Sequence, residues 1–592
     1  MLPLGRLWPI LFLSLTPFSC FSASIPLCSS SARTFSLCEL TFDYRDSELP
    51  AGLSPYKDEL LHAEFRSPHA DTYMVRAFWD GTHALRVRFS PTQAGTWTYR
   101  ITSPIKRLDN QEATFNAADS GRPGFVSVAN LRHWWTTNKQ PHLWLGVTAP
   151  PMAVDQSAFD TWLDARKHDG FTHIRTTLMT FGAPFKPFNG PLQPNFAYFA
   201  ALDQRLTDVD DRGLTADLII ADDSFVKSGA LDAWDGRQAL VRYLVARYGS
   251  INCDWQGIER FEDTPNSRAL LKDLGDLLKN FDTYRHPRSS DARVTTTPLL
   301  LDGWMDYLIE ASPNPQLGAV EHQFTEQPQV HLVTATDPAA FRHELWSSTT
   351  NGEYPSVSYE ALQDPANVKA VQVWFRVMSD TRHWELEPYF DVDNARALGL
   401  DEVEYLAYVD KPGIVEVSLP KHKYNPVWVN PANGDELPLK DYRGEIFSRP
   451  VPDASHDWVL QVPREGHKAG MLKSYYFESQ DPPVQEVEIN GAKTPFEIVE
   501  PTGDVIDVTK SIPFAIKLTR PNRATRVMEY VWSGEVVADG QGPRVLAIGA
   551  DGTFQFPMNL IQTFPANLTL RLMAINANGK AYEIDKVYQL TR

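Results

Sequence analysis

At 592 residues the chain is too long for one hydrophobic core, and three or four domains are expected; 43% hydrophobic and 22% charged residues are ordinary for a globular protein. A net charge of −18 repels phosphate backbones and anionic lipid, which excludes nucleic acid as a partner and argues against strongly acidic polysaccharides. Sixteen Trp residues fit a large core, and they also fit ring stacking on ligands.

The first 22 residues read as an export leader, with Arg6 as the positive end, an apolar run over 7–18 and small residues suiting cleavage after Ser22. That run is too short to span a bilayer stably, and no other stretch approaches spanning length. The expected product is secreted, periplasmic or extracellular, with no membrane span. Three cysteines then remain, and Cys28 with Cys38 is the pair available for a disulfide. Cys253 is left as a lone buried thiol. No Cys/His cluster has metal-ligand spacing, so neither metal nor cofactor is expected.

Residues 33–125 alternate apolar and polar positions in short runs, as in ALRVRFS and GTWTYRITS, with turn clusters such as SPTQAG between them. The pattern predicts an all-β sandwich. From 130 to 395 it changes to apolar runs alternating with amphipathic helices, the signature of a (β/α)8 barrel. Strands are expected at 142–148, 172–178, 216–222, 254–261, 293–298, 306–311, 329–335 and 353–360. Asp337-Pro338 is a strong helix start, and the helix it begins stops at Gly352, so Glu353 opens the eighth strand at the bottom of the barrel. Beyond the barrel the chain returns to β runs, a small sandwich over 396–480. The Pro-rich ESQDPPV leads to a last, immunoglobulin-like β domain over 484–592. The fold class is therefore multidomain α/β and all-β, a central TIM barrel flanked by β-sandwich domains.

The ordered strings Phe78-Trp79-Asp80-Gly81, Val87-Arg88-Phe89-Ser90-Pro91-Thr92 and Ala94-Gly95-Thr96-Trp97 resemble the N-terminal sandwich of unknown function that precedes the barrel in many apiosidase-like, cellulase-like glycoside hydrolases. Trp428-Val429-Asn430-Pro431 with Gly434 resembles the small collagen-binding-type β module that follows the barrel in the same group; collagen is not carried over as a ligand. The resemblance implies a carbohydrate substrate and two carboxyl groups at the C-terminal ends of the barrel strands.

Strand four, Trp255-Gln256-Gly257-Ile258-Glu259-Arg260-Phe261-Glu262, resembles the strand of that group that carries the acid/base, normally at the fifth position after Trp. Arg260 stands there, which leaves Glu259 or Glu262 as the general acid/base. If Trp255 faces the lumen, Glu259 does too, by strand alternation. Arg260 beside Glu259 would hold its pKa down. Strand seven, where the group places its nucleophile, contains no carboxylate. Among the other strand ends, Asp222, Asp223, Glu310 and Glu360, Glu310 is preferred as the second acid because it follows the apolar YLI. Arg175, Asp222 and Trp255 are the substrate-binding candidates. The string 286–290 is read as structural and His322 as packing. The leading reading is a secreted hydrolase of a poly- or oligosaccharide. The alternative is a non-catalytic glycan-binding protein with a degenerate site. Oligomeric state is left open.

Overall fold

A computed structural model describes residues 25–180, 186–190, 193–264, 266–466, 487–491, 494–518, 526–538, 544–549, 552–554, 561 and 563–592. The expected leader, 1–22, and the Pro-rich segment 478–484 lie outside the described residues.

Two antiparallel sheets form the N-terminal unit. One carries Cys38–Asp43, Ala84–Phe89 and Phe78–Trp79; the other carries Thr72–Arg76, His62–Arg66, Gly95–Thr102 and Glu112–Ala117. Alternation along Gly95–Thr102 buries Trp97 and Ile101 and leaves Thr96 and Thr98 in solvent. Phe65 stacks on Phe89 across the two sheets, ring centroids 3.9 Å apart. Cys28 and Cys38 are joined by a disulfide, and Cys253 is a free, buried thiol.

The eight parallel barrel strands are β1 Gly146–Thr148, β2 His173–Met179, β3 Thr215–Ala221, β4 Cys253–Ile258, β5 Arg288–Ser289, β6 Leu308–Glu310, β7 Gln329–Val333 and β8 Glu353–Val357. They run in the order β5-β4-β3-β2-β1-β8-β7-β6. The barrel is nearly closed. At the seam the Asp306 amide donates to the Arg288 carbonyl at 2.8 Å, and the Arg288 guanidinium pairs with Asp306. The surrounding helices are α1 Gln156–His168, α2 Phe196–Asp211, α3 Trp234–Tyr248, α4 Ser267–Phe281, α5 Pro315–Phe324, α6 Pro338–Thr350 and α7 Pro365–Ser379. Asp337 caps α6 by accepting from the amides of Ala339 and Ala340, and Glu353 begins β8 as expected.

The fifth strand is a correction. It was expected at 293–298 and lies at Arg288–Ser289, where Arg288 pairs with Trp255. The amides of Arg293, Val294 and Thr295 cannot enter a parallel ladder, because they donate to the Glu262 carboxylate. His286 belongs to the same connection, its Nδ1 3.0 Å from Asp282.

The N-terminal sandwich is locked to the barrel by a buried charge triad. Arg88 and Arg247 both grip Asp203 of α2. Burial pushes the Asp203 carboxyl up, but the two guanidinium groups overcome it and hold it at about 2. On the other side, a six-stranded and a three-stranded sheet between Glu387 and Pro463 rest against α6 through Arg342 and Asp457. The last sheets, between Glu488 and Thr591, meet α5 through Val320, Val531 and Ile575. Among the described residues no helix is long and apolar enough to cross a membrane.

Candidate active site

Strand β4 shows how the site is built. Asp254 and Gln256 face the lumen: the Tyr307 hydroxyl donates to Asp254, and the Gln256 amide nitrogen donates to Tyr307 at 3.0 Å. Trp255 faces the other way, against expectation. Its ring is fully buried and its N–H donates to Asp282, at the end of α4, at 3.2 Å. Gly257 shares that face, where a Cβ would come within 2.2 Å of Leu271 on α4. Trp255 therefore has no path to a ligand in the lumen.

Strict alternation would send Glu259 outward after Trp255 and Gly257. It does not, because β4 ends at Ile258 and the chain turns, with Arg260 at φ +41°. The half-buried Glu259 carboxylate accepts from the Thr177 hydroxyl of β2 and lines a cleft of about 290 Å3 at the C-terminal end of the barrel. Arg175, Asp222, Tyr359 and Glu360 line the same cleft. Burial raises the Glu259 pKa, and Asp291 and Asp222 add to the effect, against the Thr177 hydroxyl and the Arg175 cation. The predicted depression by Arg260 is absent. That side chain is largely exposed and sits 3.9 Å from Asp263.

Arg175 is buried in the lumen below Glu259. Its Nε donates to Gln256 at 3.2 Å, and its guanidinium lies 3.0 Å from Asp291. Asp222 directly follows β3 and caps the short helix Asp223–Lys227. The Ser224 hydroxyl and the Phe225 amide both donate to its Oδ1, at 2.6 and 2.8 Å. Two of the three substrate-binding candidates thus meet Glu259 in the cleft.

The other two predicted acids do not. Glu262 is buried beneath the rim, where its carboxylate accepts the amides of the 293–295 loop. Burial pushes its pKa to about 7 against those hydrogen bonds. Glu310 ends β6 but projects behind the barrel wall. It contacts His331, whose other ring nitrogen lies 3.3 Å from Glu344 of α6. Glu310 is desolvated, and burial raises its pKa, but on the face turned away from the cleft, opposite Tyr307. His322 is buried on α5, its Nε2 2.7 Å from Glu387.

Sequence reasoning missed the floor of the site. His173, Asp217 and Asp254 sit side by side in the lumen, all fully buried. His173 Nδ1 lies 2.6 Å from Asp217 and its Nε2 lies 2.8 Å from His142. Burial raises the Asp217 pKa to about 7 and also raises that of Asp254, which the neighbouring Asp217 pushes up as well. The signal was present as polar residues alternating with apolar ones in CDWQGI, but a stripe of that kind does not say which side is the lumen.

A family described as a domain of unknown function, DUF5060, matches residues 31–104, the N-terminal sandwich. No curated protein matches the chain. Among solved structures, a provisionally assigned glycoside hydrolase of Bacteroides vulgatus is similar over 73% of this chain and 99% of its own, with 18% identity and a TM-score of 0.62. A family 5 glycoside hydrolase of the same organism covers 58% of this chain and 94% of its own, at 16% identity and a TM-score of 0.51. A further glycoside hydrolase covers 58% and 97%, at 16% identity and a TM-score of 0.50. At these identities the likeness defines a class of fold, a glycoside-hydrolase-like (β/α)8 barrel with flanking β sheets.

Proposed function

We propose that the protein is a secreted glycoside hydrolase of the apiosidase-like, cellulase-like barrel type, cutting a poly- or oligosaccharide in the cleft above Arg175. Glu259 is the general acid. The observation that carries this is its carboxyl, desolvated at the C-terminal rim of β4 with its pKa raised, as protonating a leaving oxygen requires. Asp222 is the second carboxylate, oriented by Ser224 and Phe225. Arg175 holds the underside of the cleft in place, and Tyr359 offers a ring face to a sugar. The Cys28–Cys38 disulfide and the expected leader support residence in an oxidising compartment.

Reducing-sugar release by the purified protein over a panel of polysaccharides tests the reading, beside Glu259→Gln and Asp222→Asn. Release that disappears in both variants supports it; hydrolysis intact in both sinks it. One observation favours a second reading, a cleft that binds glycan without turnover. β7 is Gln329–Val333 and runs on into Thr334 and Ala335, so the strand itself carries no carboxylate where related barrels place a nucleophile. Retention on one glycan in affinity gels, with silence across the panel, is the outcome this second reading expects.

A further inference from the structure

Behind the barrel wall, three strands bring together a second set of charged groups that plays no part in the cleft. Glu310 of β6 and His331 of β7 are register partners, and Glu353 begins β8 beside them. All three are buried. His331 Nδ1 contacts Glu310 Oε2 and lies 3.6 Å from Glu353 Oε1. One ligand atom from each residue falls within 4.8 Å of the other two. Glu321 of α5 and Glu344 of α6 close the pocket from the helix side.

We propose that Glu310, His331 and Glu353 form a binding site for one divalent first-row cation, with Zn2+ as the best fit. Three observations carry this. First, Glu353 Oε1 is buried and has no hydrogen-bond partner among the described residues, although its other oxygen accepts from Asn351 at 3.1 Å. A buried carboxylate oxygen left bare is costly unless a cation occupies the space it faces. Second, the charge does not balance: among the described residues the only ion-pair partner of Glu310, Glu344 and Glu353 is His331. With the three carboxyls ionised, even a protonated imidazole leaves negative charge in a dry site, and a dication removes it.

Third, an outer shell is already built. His331 turns Nδ1 toward the two carboxylates and Nε2 toward Glu344 at 3.3 Å. Glu344 is itself fixed by the amides of Thr334 and Ala335. A carboxylate behind a ligating histidine sets its tautomer and raises its basicity. Glu310 is held the same way, its Oε1 accepting the Ser312 amide at 2.6 Å. One imidazole and two carboxylates suit Zn2+ or Mn2+ and fall short of the oxygen count that Ca2+ takes. Local spacing rules missed the set because its members come one from each βα unit, with Glu310 and His331 21 residues apart.

The lumen triad His173, Asp217 and Asp254 also meets the distance condition and is the rival location. There His173 Nε2 faces His142 rather than a carboxylate, and Arg175 already supplies positive charge to Asp217.

The test uses the full chain, stripped with chelator and titrated with Zn2+ alone by calorimetry, with melting temperature and metal content as further readouts. One equivalent is expected to bind and to raise the melting temperature. Glu353→Gln is expected to weaken binding at least 100-fold, and Glu344→Gln by about 10- to 100-fold. Failure of the wild-type chain to bind either Zn2+ or Mn2+ overturns the proposal. So does unchanged binding in Glu353→Gln, or loss of binding in Asp217→Asn with Glu353→Gln unaffected. If Glu353→Gln does not fold, X-ray absorption of the Zn2+-loaded wild type decides: one imidazole with oxygen ligands supports the site, and a two-imidazole shell overturns it.

Discussion

Glu259 and Glu310 follow similar strings, Gln-Gly-Ile-Glu and Tyr-Leu-Ile-Glu, at the ends of β4 and β6. Both are desolvated and both have raised pKa values. Yet Glu259 opens onto the cleft and Glu310 lies against His331 on the helix side of the wall. The difference comes from one turn. Glu310 is still within its strand and obeys the pleat, whereas Glu259 stands one residue past the end of β4, where the chain has left the sheet. Burial alone therefore does not place a carboxyl in the cleft. The face on which it is buried does.

The sharpest way to break this contrast is Glu259→Gln. Removing the proposed general acid is expected to lower kcat by about 10²- to 10⁴-fold with the fold intact, measured by sugar release and circular dichroism. The same substitution at Glu310 should do the reverse. It is expected to leave kcat/KM unchanged and to cost roughly 1–3 kcal/mol of stability, read from denaturant unfolding, because His331 loses one buried hydrogen-bond partner while Glu344 and Glu353 remain. A strong loss of turnover in Glu310→Gln without destabilisation would return Glu310 to the active site.

Glu262 sharpens the contrast through pH. Its pKa is raised from 4.5 to about 7 in the folded state, so the folded chain holds a proton that the unfolded chain releases. Its contribution to stability is present below pH 4.5 and is lost as pH rises toward 7, by roughly 3 kcal/mol. In Glu262→Gln this slope should flatten, which melting temperatures across that window will show. For the reaction, the rate should fall as pH rises through the elevated pKa of Glu259. Arg175→Met removes the cation that opposes this elevation, so the basic limb of the pH–rate profile should move to higher pH. The smallest effect is expected for Arg260→Ala. That side chain is exposed and turned toward Asp263, so stability should change by less than about 0.5 kcal/mol and activity should hold.

Much of the architecture was legible because it rests on local rules. Alternation marked GTWTYRITS as a strand, and Asp337-Pro338 announced α6 and hence the start of β8 at Glu353. The spacing of Cys28 and Cys38 allowed the bond that forms. The short β5 was not legible. Its two residues are recognisable only by their pairing with Trp255 and by the seam to Asp306, and the 293–298 run that looked like a strand gives its amides to Glu262.

By itself, then, the sequence determined a barrel between β sheets and named Glu259, Asp222 and Arg175 among the residues that meet in its cleft. Only the tertiary structure decided which side of each strand is the lumen. A period of two gives two faces without saying which is inside, so Trp255 went to the helices, Asp254 and Gln256 went to the interior, and Glu310 joined His331 and Glu353 behind the wall.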